Sequence, residues 1–234
     1  MLPAQPALQL AQLTHTAGRD AALGAYNETR WSWRAGGARG VLLQTYVRVF
    51  ADGRTAELGQ VFPRGWNSSL AAAAGGVALA AAFPVLALGA AQLVGVTWAD
   101  TFSQMVGPTA LPDFDPRGRS SGGPLAVYAA DGRCLVLSPL NHFLAAAPAA
   151  AHGQLWLGVD AAVRSLPAGF EFRTLAVAGG GGLTDTLHEW GSRVRAVYGR
   201  AAGPDPHDRV VSHYGWWSDN GAYLYMYSPQ VGCF

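Results

Sequence analysis

The sequence predicts a mainly β protein: an antiparallel β-sandwich, then one helix, then one further strand. Three observations carry this. Short apolar and β-branched runs recur between Gly- and Pro-rich turns. The apolar period switches once to helical spacing, at Leu187, Trp190, Val194 and Val197. Beyond a Pro-rich link, Val210 to Trp217 reads as a strand with apolar residues for both faces. The predicted organisation is an irregular segment over 1–37, a β-sandwich over 38–183, a linker helix and loop over 184–208, and the first strand of a second domain over 209–234.

In chain order, Val41 to Phe50 forms a strand that turns at Ala51-Asp52-Gly53-Arg54, where the Gly accepts positive φ. Between Arg64 and Asp100 no residue is charged. That stretch is long enough to span a bilayer, yet it is rich in Ala and Gly and broken by Pro84 and Gly89. Two short buried strands, Ala80 to Leu88 and Leu93 to Phe102, are the favoured reading. Pro108 to Gly123 reads as a loop. Pro124 to Ala129 and Cys134 to Leu137 flank a second hairpin turn, Ala130-Asp131-Gly132-Arg133. An Ala-rich connection leads to strands near Gln154 to Val159 and Phe170 to Val177. A helix from Thr186 to Tyr198 follows, with Thr186 and Glu189 as a capping box.

Composition excludes several function classes. All 16 basic residues are Arg, the net charge is +1, and no basic cluster offers a footprint for nucleic acid or an anionic membrane. Cys134 and Cys233 match no metal spacing, and the six His form no ligand pair, so no metal is implied. Gly179 to Gly182 lies between a strand and a helix, where phosphate binds, but no Lys follows it. It reads as a flexible junction, and no cofactor is implied. The N-terminus lacks the plan of a signal peptide, and Asn27-Glu28-Thr29 and Asn67-Ser68-Ser69 fit the glycosylation pattern. Localisation stays open, leaning to the cytoplasm, and the oligomeric state is unassigned.

The candidate site is the aromatic run near the end. Trp217, Asp219, Asn220 and Tyr223 combine flat rings with groups that bridge adjacent sugar hydroxyls, at the carboxyl end of a buried strand. The same run also reads as core aromatics followed by an Asp-Asn-Gly turn. Acids such as Asp113, Asp131, Asp160, Glu171, Asp185 and Glu189 read as turn, cap or surface residues. Glycoside hydrolysis needs two opposed carboxylates, and only Asp219 lies beside binding aromatics, so no catalytic residue is assigned.

Tyr214-Gly215-Trp216-Trp217-Ser218-Asp219-Asn220-Gly221-Ala222-Tyr223-Leu224-Tyr225 resembles the Gly-Tyr-Trp-Thr-Asp-Asn-Gly-Ala-Tyr-Tyr-Tyr signature of a group of algal and protist proteins. That group is remotely similar to the raffinose synthase and α-galactosidase glycoside hydrolases. The resemblance extends through Gly122-Gly123-Pro124-Leu125, Leu137-Ser138-Pro139-Leu140-Asn141-His142-Phe143, Trp190-Gly191 and Tyr198-Gly199. It implies a supersandwich-like N-terminal domain followed by a (β/α)8 barrel whose first strand is Val210 to Tyr227. It also implies carbohydrate as the partner and substrate contacts for Trp217, Asp219 and Asn220. The family's catalytic Asp pair sits on later barrel strands, so the expectation is a truncated, inactive fragment with an incomplete barrel. The alternative is a non-catalytic β-sandwich module that binds glycan or protein.

Overall fold

A strand shows its side chains to two faces in alternation, so each strand must find cover for both or leave one to water. A computed structural model describes residues 8–35, 40–67, 79–87, 92–98, 106–114, 123–151, 154–200 and 213. Its strands are β1 (Leu8–Asp20), β2 (Gly24–Ala35), β3 (Leu43–Phe50), β4 (Thr55–Phe62), β5 (Trp66–Asn67), β6 (Leu79–Ala87) and β7 (Leu93–Thr97). They continue with β8 (Val106–Ala110), β9 (Leu125–Ala129), β10 (Cys134–Pro139), β11 (Ala146–Ala151), β12 (Gln154–Asp160), β13 (Ser165–Leu166) and β14 (Phe170–Gly179), and α1 (Leu183–Val197) follows. Nine strands form one antiparallel sheet in the order β1-β2-β3-β4-β14-β10-β9-β7-β8. A three-stranded sheet, β11-β12-β6, and a two-stranded one, β13-β5, complete the set, and no closed barrel occurs among the described residues.

The sandwich and its two predicted hairpins are present. Asp52 Oδ1 accepts from the N–H groups of Arg54 and Thr55, and Gly53 sits at φ 68°. Asp131 plays the same part for Arg133, with Gly132 at φ 88°. The apolar stretch supplies β6 and β7, as expected, and no described helix is long and apolar enough to cross a membrane. The chain divides into one unit from Met1 to Arg200 and a second from Ala201 to Phe234.

Several expectations are corrected. Residues 8–35 are not irregular but form a long hairpin, paired from Leu8↔Ala35 to Asp20↔Gly24. Asp20 Oδ1 closes its turn by accepting from the N–H groups of Ala22 and Leu23. Most of β1 is exposed on both faces, so it carries no alternating apolar signature. The Ala-rich connection after Phe143 is the strand β11, paired residue for residue with β12. Part of the loop assigned to Pro108–Gly123 is β8, an edge strand where Pro108 costs no ladder bond.

The cores explain the layers. Leu58, Leu125, Val127, Leu137 and Ala176 point to one face of the large sheet and meet Leu155, Phe83 and Leu86 of the three-stranded sheet. Phe62 and Phe172 continue that layer with Ala146 and Val159. The intervening residues, Ala126, Val136, Leu175 and Val177, point the other way, under Leu187, Trp190, Val194 and Val197 of α1. Strands buried on both faces therefore read as unbroken apolar runs, and each fully buried Leu, Val or Phe contributes roughly 1.5–3 kcal/mol.

The helix begins three residues before the expected Thr186. Gly182 is its N-cap, without a side-chain cap, so the capping box is not formed. Thr186 is buried instead, and its hydroxyl donates to the Gly182 carbonyl. The Gly run is a fixed turn, tied by Gly182 N–H to the carbonyl of Gly132. α1 packs as a third layer on the large sheet, within the first unit.

Candidate functional site

Trp217, Asp219, Asn220 and Tyr223 lie outside the described residues, as does the expected barrel strand from Val210 to Tyr227 apart from His213. What the structure brings together is the upstream part of the motif set. Ser138 Oγ accepts from Trp190 Nε1 at 2.8 Å, and the Leu140 carbonyl accepts from the Tyr198 hydroxyl. Asn141 extends the β10–β14 ladder with its side chain: Nδ2 donates to the Glu171 carbonyl and Oδ1 accepts from Arg173 N–H, both at 2.8 Å. His142, at φ 50°, stacks on Phe170 with centroids 4.4 Å apart. The Leu137–Phe143 block thus clamps β10 to β14 and to both Trp190 and Tyr198 of the α1 region. Its residues are architectural.

The richest side-chain chemistry among the described residues lies on the helix-bearing face, over β2, β3, β4 and β14. Cross-strand register sets Glu28 opposite Arg48, Arg48 opposite Glu57, and Glu57 opposite Leu175. Glu57 is fully buried and accepts from Arg48 Nη1 at 3.2 Å, and from Arg173 Nε and Nη2 at 3.0 and 2.6 Å. Glu28 accepts from Arg30 Nε at 2.8 Å and Arg48 Nε at 2.7 Å. The guanidinium groups of Arg30 and Arg48 lie over the fully buried Tyr46 ring, 4.6 and 4.7 Å from its centroid. A Cβ at Gly59, directly across the ladder, would lie 2.1 Å from that ring, so only glycine fits there.

The electrostatics follow. Burial pushes the Glu28 carboxyl up, but the hydrogen bonds from Arg30 and Arg48 outweigh it and hold the group below its usual range. Burial, then the charges of Glu57 and Glu171, push the Tyr46 phenol far up and keep it protonated. The Glu57 hydrogen bonds raise Arg173 despite its burial.

Two carboxylates meet on one phenol here, Glu57 Oε1 at 2.7 Å and Glu171 Oε1 at 2.9 Å from Tyr46 Oη. Retaining glycosidases also bring two carboxylates close together. Here, however, Glu57 is sealed from solvent and both its oxygens are engaged by arginine. Sequence reasoning missed Glu28 and Glu57 and placed Glu171 in a turn or on the surface. The available signal was the period-two spacing of Glu28 with Arg30 and of Tyr46 with Arg48. A shallow hollow of about 230 Å³ beside Tyr26, Asn27 and Val49 has no charged lining residue. No group of three or more His, Cys, Asp or Glu is placed to hold a metal among the described residues.

Fold and site together define a mostly β assembly of packed antiparallel sheets with one helix, built around a structural ionic ladder. No protein-family model matches the chain, and no curated protein matches its sequence. Among solved structures it is similar to a quadruple mutant of the α-N-acetylgalactosaminidase NagBb from Bifidobacterium bifidum, with a TM-score of 0.50 and 13% identity over 82% of this chain. The chain spans 31% of the length of that enzyme. The likeness is one of fold.

Proposed function

We propose that the chain is the β-sandwich portion of a carbohydrate-active protein of the α-galactosidase and raffinose synthase type. Trp217, Asp219, Asn220 and Tyr223 are its sugar contacts, the rings stacking on the pyranose and the acid and amide bridging hydroxyls. The observation that carries the reading is the fold shared over 82% of the chain with an α-N-acetylgalactosaminidase. The motif resemblance at Tyr214 to Tyr225 supports it from the sequence. We infer that these 234 residues bind sugar without cleaving it: both Glu57 oxygens are engaged by arginine, Glu171 accepts from Tyr46, and in the sequence only Asp219 lies beside binding aromatics.

The test is calorimetric titration of the chain with α-galactosides and α-N-acetylgalactosaminides, alongside release of 4-nitrophenol from the aryl glycosides. Saturable binding without release is expected, weakened about tenfold in Trp217→Ala, the loss of one stacked ring. No binding, or binding indifferent to Trp217, refutes the reading. A second reading, a non-catalytic module for glycan or protein, is favoured by one observation. Leu8, Leu10, Leu13 and Val49 share one face of the large sheet and stay 46–49% exposed. Binding that survives Trp217→Ala but fails in Leu10→Asp would select it.

A further inference from the structure

The layer between the two main sheets is mostly apolar, but it carries a polar row: Thr45 on β3, Gln60 on β4 and Thr174 on β14. Thr45 faces Gln60 across the β3–β4 ladder, and Thr174 lies one diagonal step from Gln60 across the β4–β14 ladder. Gln60 and Thr174 are fully buried. Their neighbours on this face are Leu58, Phe62, Phe172 and Ala176. Three polar side chains in such a layer need a common reason.

The reason begins on β6. Its pairing with β12 slips between Trp156 and Gly158, so Phe83 and Pro84 together face Leu157 and fall out of the ladder. At this irregular step Gln60 Nε2 donates to the Phe83 carbonyl at 3.2 Å. That bond fixes the amide's orientation, because the flipped amide would set oxygen against oxygen. Gln60 Oε1 is then turned away from β6. Among the described residues it has no hydrogen-bond partner, and neither has Thr174 Oγ1. Two buried polar atoms left unsatisfied on adjacent strands are costly, and such atoms are ordinarily bridged by water. Diagonal neighbours in an antiparallel pair stand roughly 7–8 Å apart at Cα, a span a short threonine side chain does not close alone.

We propose that one buried water molecule is bound in the inter-sheet layer between Gln60 and Thr174. It donates one proton to Gln60 Oε1 and the other to Thr174 Oγ1, or accepts from that hydroxyl. The Thr45 hydroxyl, whose oxygen already accepts from Trp33 Nε1 at 2.9 Å, keeps a proton for the same row. The row is therefore a water site built to repair the irregular pairing of β6.

A crystal structure at a resolution that orders solvent tests this directly. Expected is a density peak within about 2.6–3.2 Å of both Gln60 Oε1 and Thr174 Oγ1. Dry space there, or a direct bond between the two side chains, overturns the proposal. In solution, water-oxygen relaxation dispersion should count one long-lived water fewer in Thr174→Val than in the native chain and in Thr174→Ser. Thr174→Val should lower Tm by about 2–4 °C and Thr174→Ser should restore it. An equal water count in all three, with Thr174→Val as stable as the native chain, also refutes it.

Discussion

The helix-bearing face of the nine-stranded sheet is two surfaces in one, and β14 crosses from one to the other. Its Leu175 and Val177 lie under Trp190, Val194 and Val197, while Arg173, two residues earlier on the same face, belongs to the ladder of Glu28, Arg48, Tyr46 and Glu57. The alternation is the same in both halves, and what differs is the cover. Where α1 supplies an apolar partner the strands present Ala, Val and Leu. Beyond the helix, the face closes on itself with ion pairs and guanidinium–ring contacts. A ladder of this kind adds little net stability over an apolar isostere, but it is intolerant of losing one member.

The largest expected effect breaks the ladder at its centre. Glu57→Ala leaves Arg48 and Arg173 without their shared carboxylate and the Tyr46 hydroxyl without its shorter bond. The cost should be about 3–5 kcal/mol, or roughly 10 °C in Tm by calorimetry. Leu175→Ala, its partner across the ladder in the apolar half, should cost about 2–5 kcal/mol through cavity formation. If Glu57→Ala costs under about 1 kcal/mol, the charged half is an ordinary solvated surface and the contrast fails.

Legibility in the sequence follows the same division. The apolar half was readable, because runs such as Leu135-Val136-Leu137 and Leu175-Ala176-Val177 admit few placements, and Leu187, Trp190, Val194 and Val197 fall on one helical face. The ladder was not. Its partners are as far apart in sequence as Glu57 and Arg173, and a charge at every second strand position looks the same whether it meets water or another charge. The β1–β2 hairpin escaped because backbone pairing, which leaves no trace in side-chain pattern, holds much of it. Thr186 fits a capping pattern, yet its position was set by burial against the sheet. Of the candidate site, the motif blocks upstream proved to be a clamp, and Trp217, Asp219, Asn220 and Tyr223 rest on residue chemistry and the resemblance.

Acid separates the two halves next. Glu28 is driven up by burial and further down by Arg30 and Arg48, for a net depression. Asp52 is likewise net depressed, burial being outweighed by the Thr55 hydroxyl and the N–H groups of Arg54 and Thr55. A carboxylate with a lower pKa folded than unfolded binds fewer protons in the native state between those values. Its stabilisation is complete above the unfolded value, near pH 4, and is lost as pH falls through the folded one. Urea midpoints measured from pH 7 downward should hold steady and then drop below about pH 4. Glu28→Gln should flatten that drop, whereas Leu175→Ala should shift the curve without changing its shape. A midpoint that declines first between pH 7 and 5 would contradict the assignment.

The smallest effect is expected at the seam where the helix meets the charged half. Arg193 reaches from α1 to Asp52 Oδ2 at 3.2 Å and Thr55 Oγ1 at 3.3 Å, in the turn joining β3 to β4, and to Glu189 Oε2 at 3.4 Å on its own helix. Arg193 and Asp52 are each about a third exposed, at 31% and 30%, so solvent screens the pair and its worth is about 0.2–1 kcal/mol. Arg193→Ala should lower Tm by no more than about 2–4 °C, and the difference from the native chain should shrink in roughly 1 M salt. Because the apolar half is already closed by Trp190 and the ladder by Glu57, neither needs this contact to fold. A loss well beyond that range, insensitive to salt, would mean that the two halves stand or fall together through Arg193.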